Sequence, residues 1–132
     1  MLRALLLSAV ALGIVLTMPA EAKKNPATTV NLFDTDNDGT VDLAEAKKAA
    51  GALFDKLETD KDNTISAKEL QGRLSKIDLA AADPDKDGTL TKDEYVALVA
   101  TRFKAADPDN DGTIDAKEVS SPAGQALVRL LK

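Results

Sequence analysis

Four short stretches of the chain concentrate hard oxygen donors: Asp34-Thr35-Asp36-Asn37-Asp38-Gly39, Asp83-Pro84-Asp85-Lys86-Asp87-Gly88, Asp107-Pro108-Asp109-Asn110-Asp111-Gly112, and a variant, Glu58-Thr59-Asp60-Lys61-Asp62-Asn63. Each has a glutamate at its twelfth position: Glu45, Glu94, Glu118 and, in the variant, Glu69. Carboxylates at alternating positions of a tight turn, closed by a glutamate that can give two oxygens, form an oxygen cage for a hard cation, with glycine at position 6 for the sharp bend. One isolated run of this kind is as readily a solvated turn. Four in register, beginning at 34, 58, 83 and 107, are not. All of the 22 acidic residues except Glu21, Asp55 and Asp78 fall inside these loops. Such crowding is unfavourable unless a multivalent cation neutralises it.

The donors follow from positions 1, 3, 5, 7, 9 and 12. Loop 1 (34–45) supplies Asp34, Asp36, Asp38, the Thr40 carbonyl, Asp42 and Glu45. Loop 2 (58–69) supplies Glu58, Asp60, Asp62, the Thr64 carbonyl, Ser66 and Glu69. Loop 3 (83–94) supplies Asp83, Asp85, Asp87, the Thr89 carbonyl, Thr91 and Glu94, and loop 4 (107–118) supplies Asp107, Asp109, Asp111, the Thr113 carbonyl, Asp115 and Glu118. These are EF-hand loops by pattern. Loop 2 is the weakest by this reading: Glu58 is one methylene too long for position 1, and Asn63 replaces the turn glycine, although Asn tolerates the left-handed conformation.

Other chemistries lack their side chains. Without cysteine or histidine there are no disulfides, no thiolate or imidazole metal sites and no histidine-assisted nucleophile. Ser75, Ser120 and Ser121 therefore have no base, and the paired acids belong to metal loops, so the chain is read as a non-enzyme. A net charge of -5 with no block of lysine or arginine argues against nucleic acid or an anionic membrane as partner.

The segments between loops must position the carboxylates. Ala46, Ala49, Ala50, Leu53, Phe54 and Leu57 recur at helical spacing, as do Leu70, Leu74, Ile77 and Ala81, and Val96, Val99, Phe103 and Ala106. Ser121 with Pro122 starts a last helix carrying Leu127, Leu130 and Leu131. Position 8 is apolar in every loop (Val41, Ile65, Leu90, Ile114), which suits short paired strands. The gaps between loops are too short for two helices each, so one helix serves two loops. About twelve residues span ~18 Å, which carries successive loops to opposite ends. The expectation is an all-α, compact EF-hand helical bundle of residues 34–132 behind a segment 23–33, with four metal loops joined by shared short helices. Loops 1 and 3 would share one end, and loops 2 and 4 the other. Aromatic content of 3% leaves a thin core of Leu, Val, Ile and Ala around Phe33, Phe54, Phe103 and Tyr95, which calls for a further stabilising contribution.

Residues 1–22 read as a cleavable export signal: Arg3, then an uncharged run from Ala4 to Met18, then Ala20-Glu21-Ala22. The run is shorter than the ~20 apolar residues that span a bilayer. Cleavage after Ala22 and a periplasmic address are expected, with no membrane contact afterwards.

With its shared-helix spacing, Pro84 and Pro108 at loop position 2, the stretch Glu69-Leu70-Gln71-Gly72-Arg73-Leu74-Ser75 and the ending Ser121-Pro122-Ala123-Gly124-Gln125-Ala126-Leu127, the chain resembles the lanmodulins. It departs from them at Thr35 and Thr59, where that family tends to have proline. The resemblance implies a periplasmic protein that binds lanthanide(III) ions such as La3+ or Nd3+ in preference to Ca2+ and folds on binding; a monomer is expected. It also implies a functional link to a lanthanide-dependent alcohol dehydrogenase or an uptake system. The alternative is a calcium-binding EF-hand buffer or sensor. Against a sensor, the only methionines are Met1 and Met18, so a methionine-rich groove for a partner helix is absent. A dockerin-like adhesion module fits four repeats in a free-standing chain less well.

Overall fold

The computed structural model describes residues 25–132; the expected export signal lies outside the described residues. Two helices of 15 residues each, α2 (Leu43–Leu57) and α4 (Lys92–Ala106), run through the middle of the fold and pack on each other. Each starts inside one loop and stops at the next. Asp42 caps α2 by accepting from the Glu45 N–H while Glu45 returns the bond, and Thr91 with Glu94 caps α4 in the same way. This reciprocal cap satisfies two helix-end donors and makes the loop's last donor the helix's third residue. Each of these helices is therefore shared by two loops, as the spacing requires.

The connection from loop 2 to loop 3 differs. Gln71 and Gly72 adopt left-handed backbone (φ 51 and 79), Ser75 then caps a new helix, α3 (Lys76–Ala82), and the chain reverses. The strands record the result. β1 (Val41–Asp42) pairs antiparallel with β4 (Thr113–Ile114), and β2 (Thr64–Ser66) with β3 (Thr89–Thr91). The loops thus sit as 1 with 4 and 2 with 3, not as 1 with 3 and 2 with 4. The expected alternation assumed a straight helix in every gap, and the break at Gln71-Gly72 removes one of them. The break also resets the helical phase: Ile77 is 83% exposed and Ala81 is exposed, while Leu79 is buried in their place.

Position 8 makes the core of both strand pairs. Val41 lies opposite Ile114 and Ile65 opposite Leu90, all four buried. α1 (Pro26–Asn31) packs on α5 (Ala116–Val119) and buries Val30. α6 (Pro122–Val128), capped by Ser121, packs on α4 and brings Leu127, Leu130 and Leu131 into the core. No helix among the described residues is long and apolar enough to cross a membrane.

The Tyr95 ring lies against Phe54, centroids 6.0 Å apart, and its hydroxyl donates to the Leu130 carbonyl at 2.7 Å. Burial pushes the phenol up to about 12. Tyr95→Phe leaves that buried carbonyl without its donor and is expected to destabilise the metal-loaded protein by about 1–3 kcal/mol. Urea denaturation will read this as a lower midpoint at unchanged slope.

Candidate metal centre

Every loop is bent by the same two left-handed residues. Position 4 (Asn37, Lys61, Lys86, Asn110) has φ between 54 and 63, and position 6 (Gly39, Asn63, Gly88, Gly112) has φ between 63 and 86. Asn63 takes the turn conformation that glycine takes elsewhere. The bend aims the position-6 amide at the position-1 carboxylate: Gly39 donates to Asp34 at 2.9 Å, Gly88 to Asp83 at 2.8 Å and Gly112 to Asp107 at 3.0 Å. Loop 2 has no such bond to Glu58, the longer side chain. Asp83 and Asp107 are only 4% and 6% exposed, so the turn holds its first carboxylate inside the protein.

Carboxylate oxygens of positions 1, 3 and 12 converge in three loops: Asp34, Asp36 and Glu45; Asp83, Asp85 and Glu94; Asp107, Asp109 and Glu118, each set within 4.8 Å. In loop 2 the convergent group is Glu58, Asp60 and Asp62, and Glu69 is not part of it. Position 5 belongs to the group in loop 2 and sits outside it in the other three loops, its carboxylate held in each by the position-7 threonine. Asp38 accepts from Thr40 N–H and Oγ1 at 2.8 and 2.7 Å, and Asp62, Asp87 and Asp111 accept equivalently from Thr64, Thr89 and Thr113. Sequence reasoning gave those threonines only a carbonyl. The signal was a threonine at position 7 of all four loops, whose hydroxyl fixes the neighbouring carboxylate. Position 9 (Asp42, Ser66, Thr91, Asp115) accepts from the position-12 N–H, which caps the following helix in loops 1, 3 and 4 and closes a turn in loop 2.

The two ion pairs among the described residues use the acids outside the loops, Lys92 with Asp55 at 2.9 Å and Arg102 with Asp78 at 3.2 Å. Neither pair involves a loop carboxylate. The position-3 carboxyls lie above their ordinary value in every loop. For Asp85 the main cause is the adjoining Asp83 carboxyl and for Asp109 that of Asp107. For Asp36 it is burial, which together with the Asp38, Asp34 and Glu45 carboxylates outweighs the lowering by the Asp38 N–H. For Asp60 the Asp62 N–H pulls the other way but is outweighed by burial and the Asp62 and Glu69 charges. Glu118 is likewise raised, by burial and then by Asp109, Asp115 and Asp111. Glu45 is lowered instead: burial opposes this, and hydrogen bonds from Asp42 and Thr35 overcome it.

Two buried oxygens, Glu58 Oε1 and Asp83 Oδ1, accept no hydrogen bond. A buried carboxylate oxygen without donor or counter-charge is costly. A cation at the focus of the loop satisfies it, so the donor sets fit a hard oxygen-loving ion.

The family model described as EF hand matches residues 29–48, 77–100 and 98–121. These stretches contain loops 1, 3 and 4 and leave loop 2 unmatched, in keeping with Glu58 and Asn63. No curated protein matches the chain.

Proposed function

We propose that this EF-hand protein, whose loops bind metal, is a binder of trivalent lanthanide ions, with Ca2+ as the weaker ligand. One observation carries the reading. Loops 1 and 4 lie side by side through β1 and β4, and each offers carboxylates at positions 1, 3, 5, 9 and 12: Asp34, Asp36, Asp38, Asp42 and Glu45 beside Asp107, Asp109, Asp111, Asp115 and Glu118. The two ion pairs Lys92–Asp55 and Arg102–Asp78 involve none of these carboxylates. Two divalent ions leave most of that charge uncompensated at close range, whereas a third charge per ion offsets more of it in the same oxygen cage.

Metal supplies folding free energy in this reading, because the loops repel themselves when empty and the core is small. The protein acts outside the cytoplasm as a monomeric carrier that passes lanthanide to an alcohol dehydrogenase or an uptake system. The deciding experiment is far-ultraviolet circular dichroism with buffered free La3+ and free Ca2+. Helix gain at far lower free La3+ supports the reading. Equal responses make the protein a calcium buffer.

A further inference from the structure

Loops 1 and 4 carry the same residue type at every ligand position, yet differ at position 2, where Thr35 faces Pro108 in the comparison. The difference falls on the closing glutamate. Glu45 Oε1 accepts from the Thr35 N–H at 2.6 Å and the Thr35 hydroxyl at 2.9 Å, and Oε2 accepts from the Asp42 N–H at 3.0 Å. Glu118 keeps only the last of these, from Asp115 N–H at 3.0 Å. Pro108 has no N–H and no hydroxyl to give. The other end repeats the contrast. Glu69 accepts from Thr59 N–H and Oγ1 at 3.2 and 3.3 Å, while Glu94, opposite Pro84, accepts only from Thr91 N–H at 2.7 Å.

We propose that residue 2 is a latch on the closing glutamate and sets how fast each loop releases its ion; the proposal rests on the metal-binding reading above. In loops 1 and 4, positions 1 to 5 come from the loop and position 12 from the first turn of the following helix, so an opening loop must separate them. The threonine latch joins residue 2 to the closing glutamate across the gap that a bound ion would have to bridge. Release from loop 1 breaks two charge-assisted hydrogen bonds that release from loop 4 does not. Since the loops pair as 1 with 4 and 2 with 3, each end of the bundle holds one latched and one unlatched loop. The threonines are positioning residues, acting through the glutamate.

The test is release of La3+ from the fully loaded protein into excess chelator by stopped flow. Phases are assigned with Glu45→Gln and Glu118→Gln, which silence loops 1 and 4 in turn. A hydrogen bond to a charged group contributes enough for roughly tenfold in rate, so loop 1 is expected to release about a hundredfold more slowly than loop 4. Thr35→Ser leaves the loop 1 phase unchanged, Thr35→Ala speeds it about tenfold and Thr35→Pro about a hundredfold, while Pro108→Thr slows loop 4. Should the proline variant fail to fold, Thr35→Ala carries the test alone. In the metal-free protein, Thr35→Ala shifts the Glu45 carboxyl carbon-13 signal and leaves that of Glu118 in place. Equal release from loops 1 and 4, or rates unmoved in Thr35→Ala with La3+ stoichiometry retained, overturns the latch and leaves the metal reading standing. A wild-type protein that takes up no La3+ overturns both.

Discussion

Glu118→Gln is expected to lower the affinity of loop 4 for La3+ by more than about a hundredfold without unfolding the protein. Glutamine serves in a capping box as glutamate does, so the bond from the Asp115 N–H and the start of α5 survive the change. What is lost is one of the three carboxylates that converge there. Removing a mere outer-shell partner of a metal ligand already costs 10- to 100-fold, so losing a charged ligand costs more. The Gly112 amide, which donates to Asp107, reports loop 4 by NMR, and the Gly39 amide reports its neighbour. Gly112 should respond only at much higher La3+, with a smaller displacement at Gly39 transmitted through the β1–β4 pair. Glu69→Gln is the contrasting case: Glu69 stands outside the convergent group of loop 2, so less than about tenfold is expected there.

The second large effect comes from one hydrogen atom's worth of space. A Cβ on Gly124 would overlap the Glu118 carbonyl oxygen and come within 2.7 Å of Val119 Cα. α6 can lie on the end of α5 only with glycine here. The corner is held by Ser121, whose hydroxyl donates to the Glu118 carbonyl at 2.6 Å and accepts from the Gly124 N–H at 3.0 Å, and by Gln125 donating to the Val119 carbonyl at 2.7 Å. Helix propensity alone favours Gly124→Ala by about 1 kcal/mol. Overlap with backbone atoms that cannot rotate away costs roughly 3 kcal/mol. The overlap wins, so a fall in melting temperature of roughly 10 °C is expected. Loop 4 should weaken as well, since Glu118 sits at the displaced corner. A variant as stable as the parent would show that α6 does not dock this closely.

Local chemistry was legible in the sequence, and the path of the chain was not. The turn residues, the capping residues and the apolar position 8 act within a few residues of one another, so the pattern of each loop carries them. The 12-residue gaps likewise forced α2 and α4 to serve two loops each. Loop pairing depended on Gln71 and Gly72, and a left-handed glutamine leaves no mark in composition. The same reversal exposed Ile77, which helical periodicity had placed in the core. The roles of Thr35 and of the position-7 threonines were hidden for another reason. Those side chains act on neighbouring carboxylates, whereas the ligand pattern names only atoms that face the ion.

The reversal at Gln71-Gly72 also sets an order of assembly. Ile65 and Leu90, paired at one end, are separated by 25 positions, whereas Val41 and Ile114, paired at the other, are separated by 73 (114 minus 41). Closing the longer segment costs about 1 kcal/mol more chain entropy, taking three-halves RT times the logarithm of the length ratio. The hairpin-like end can therefore nucleate from near neighbours in sequence, while the far end must gather almost the whole domain before its strands touch. The end that is slower and costlier to close is the one with ten loop carboxylates at ligand positions.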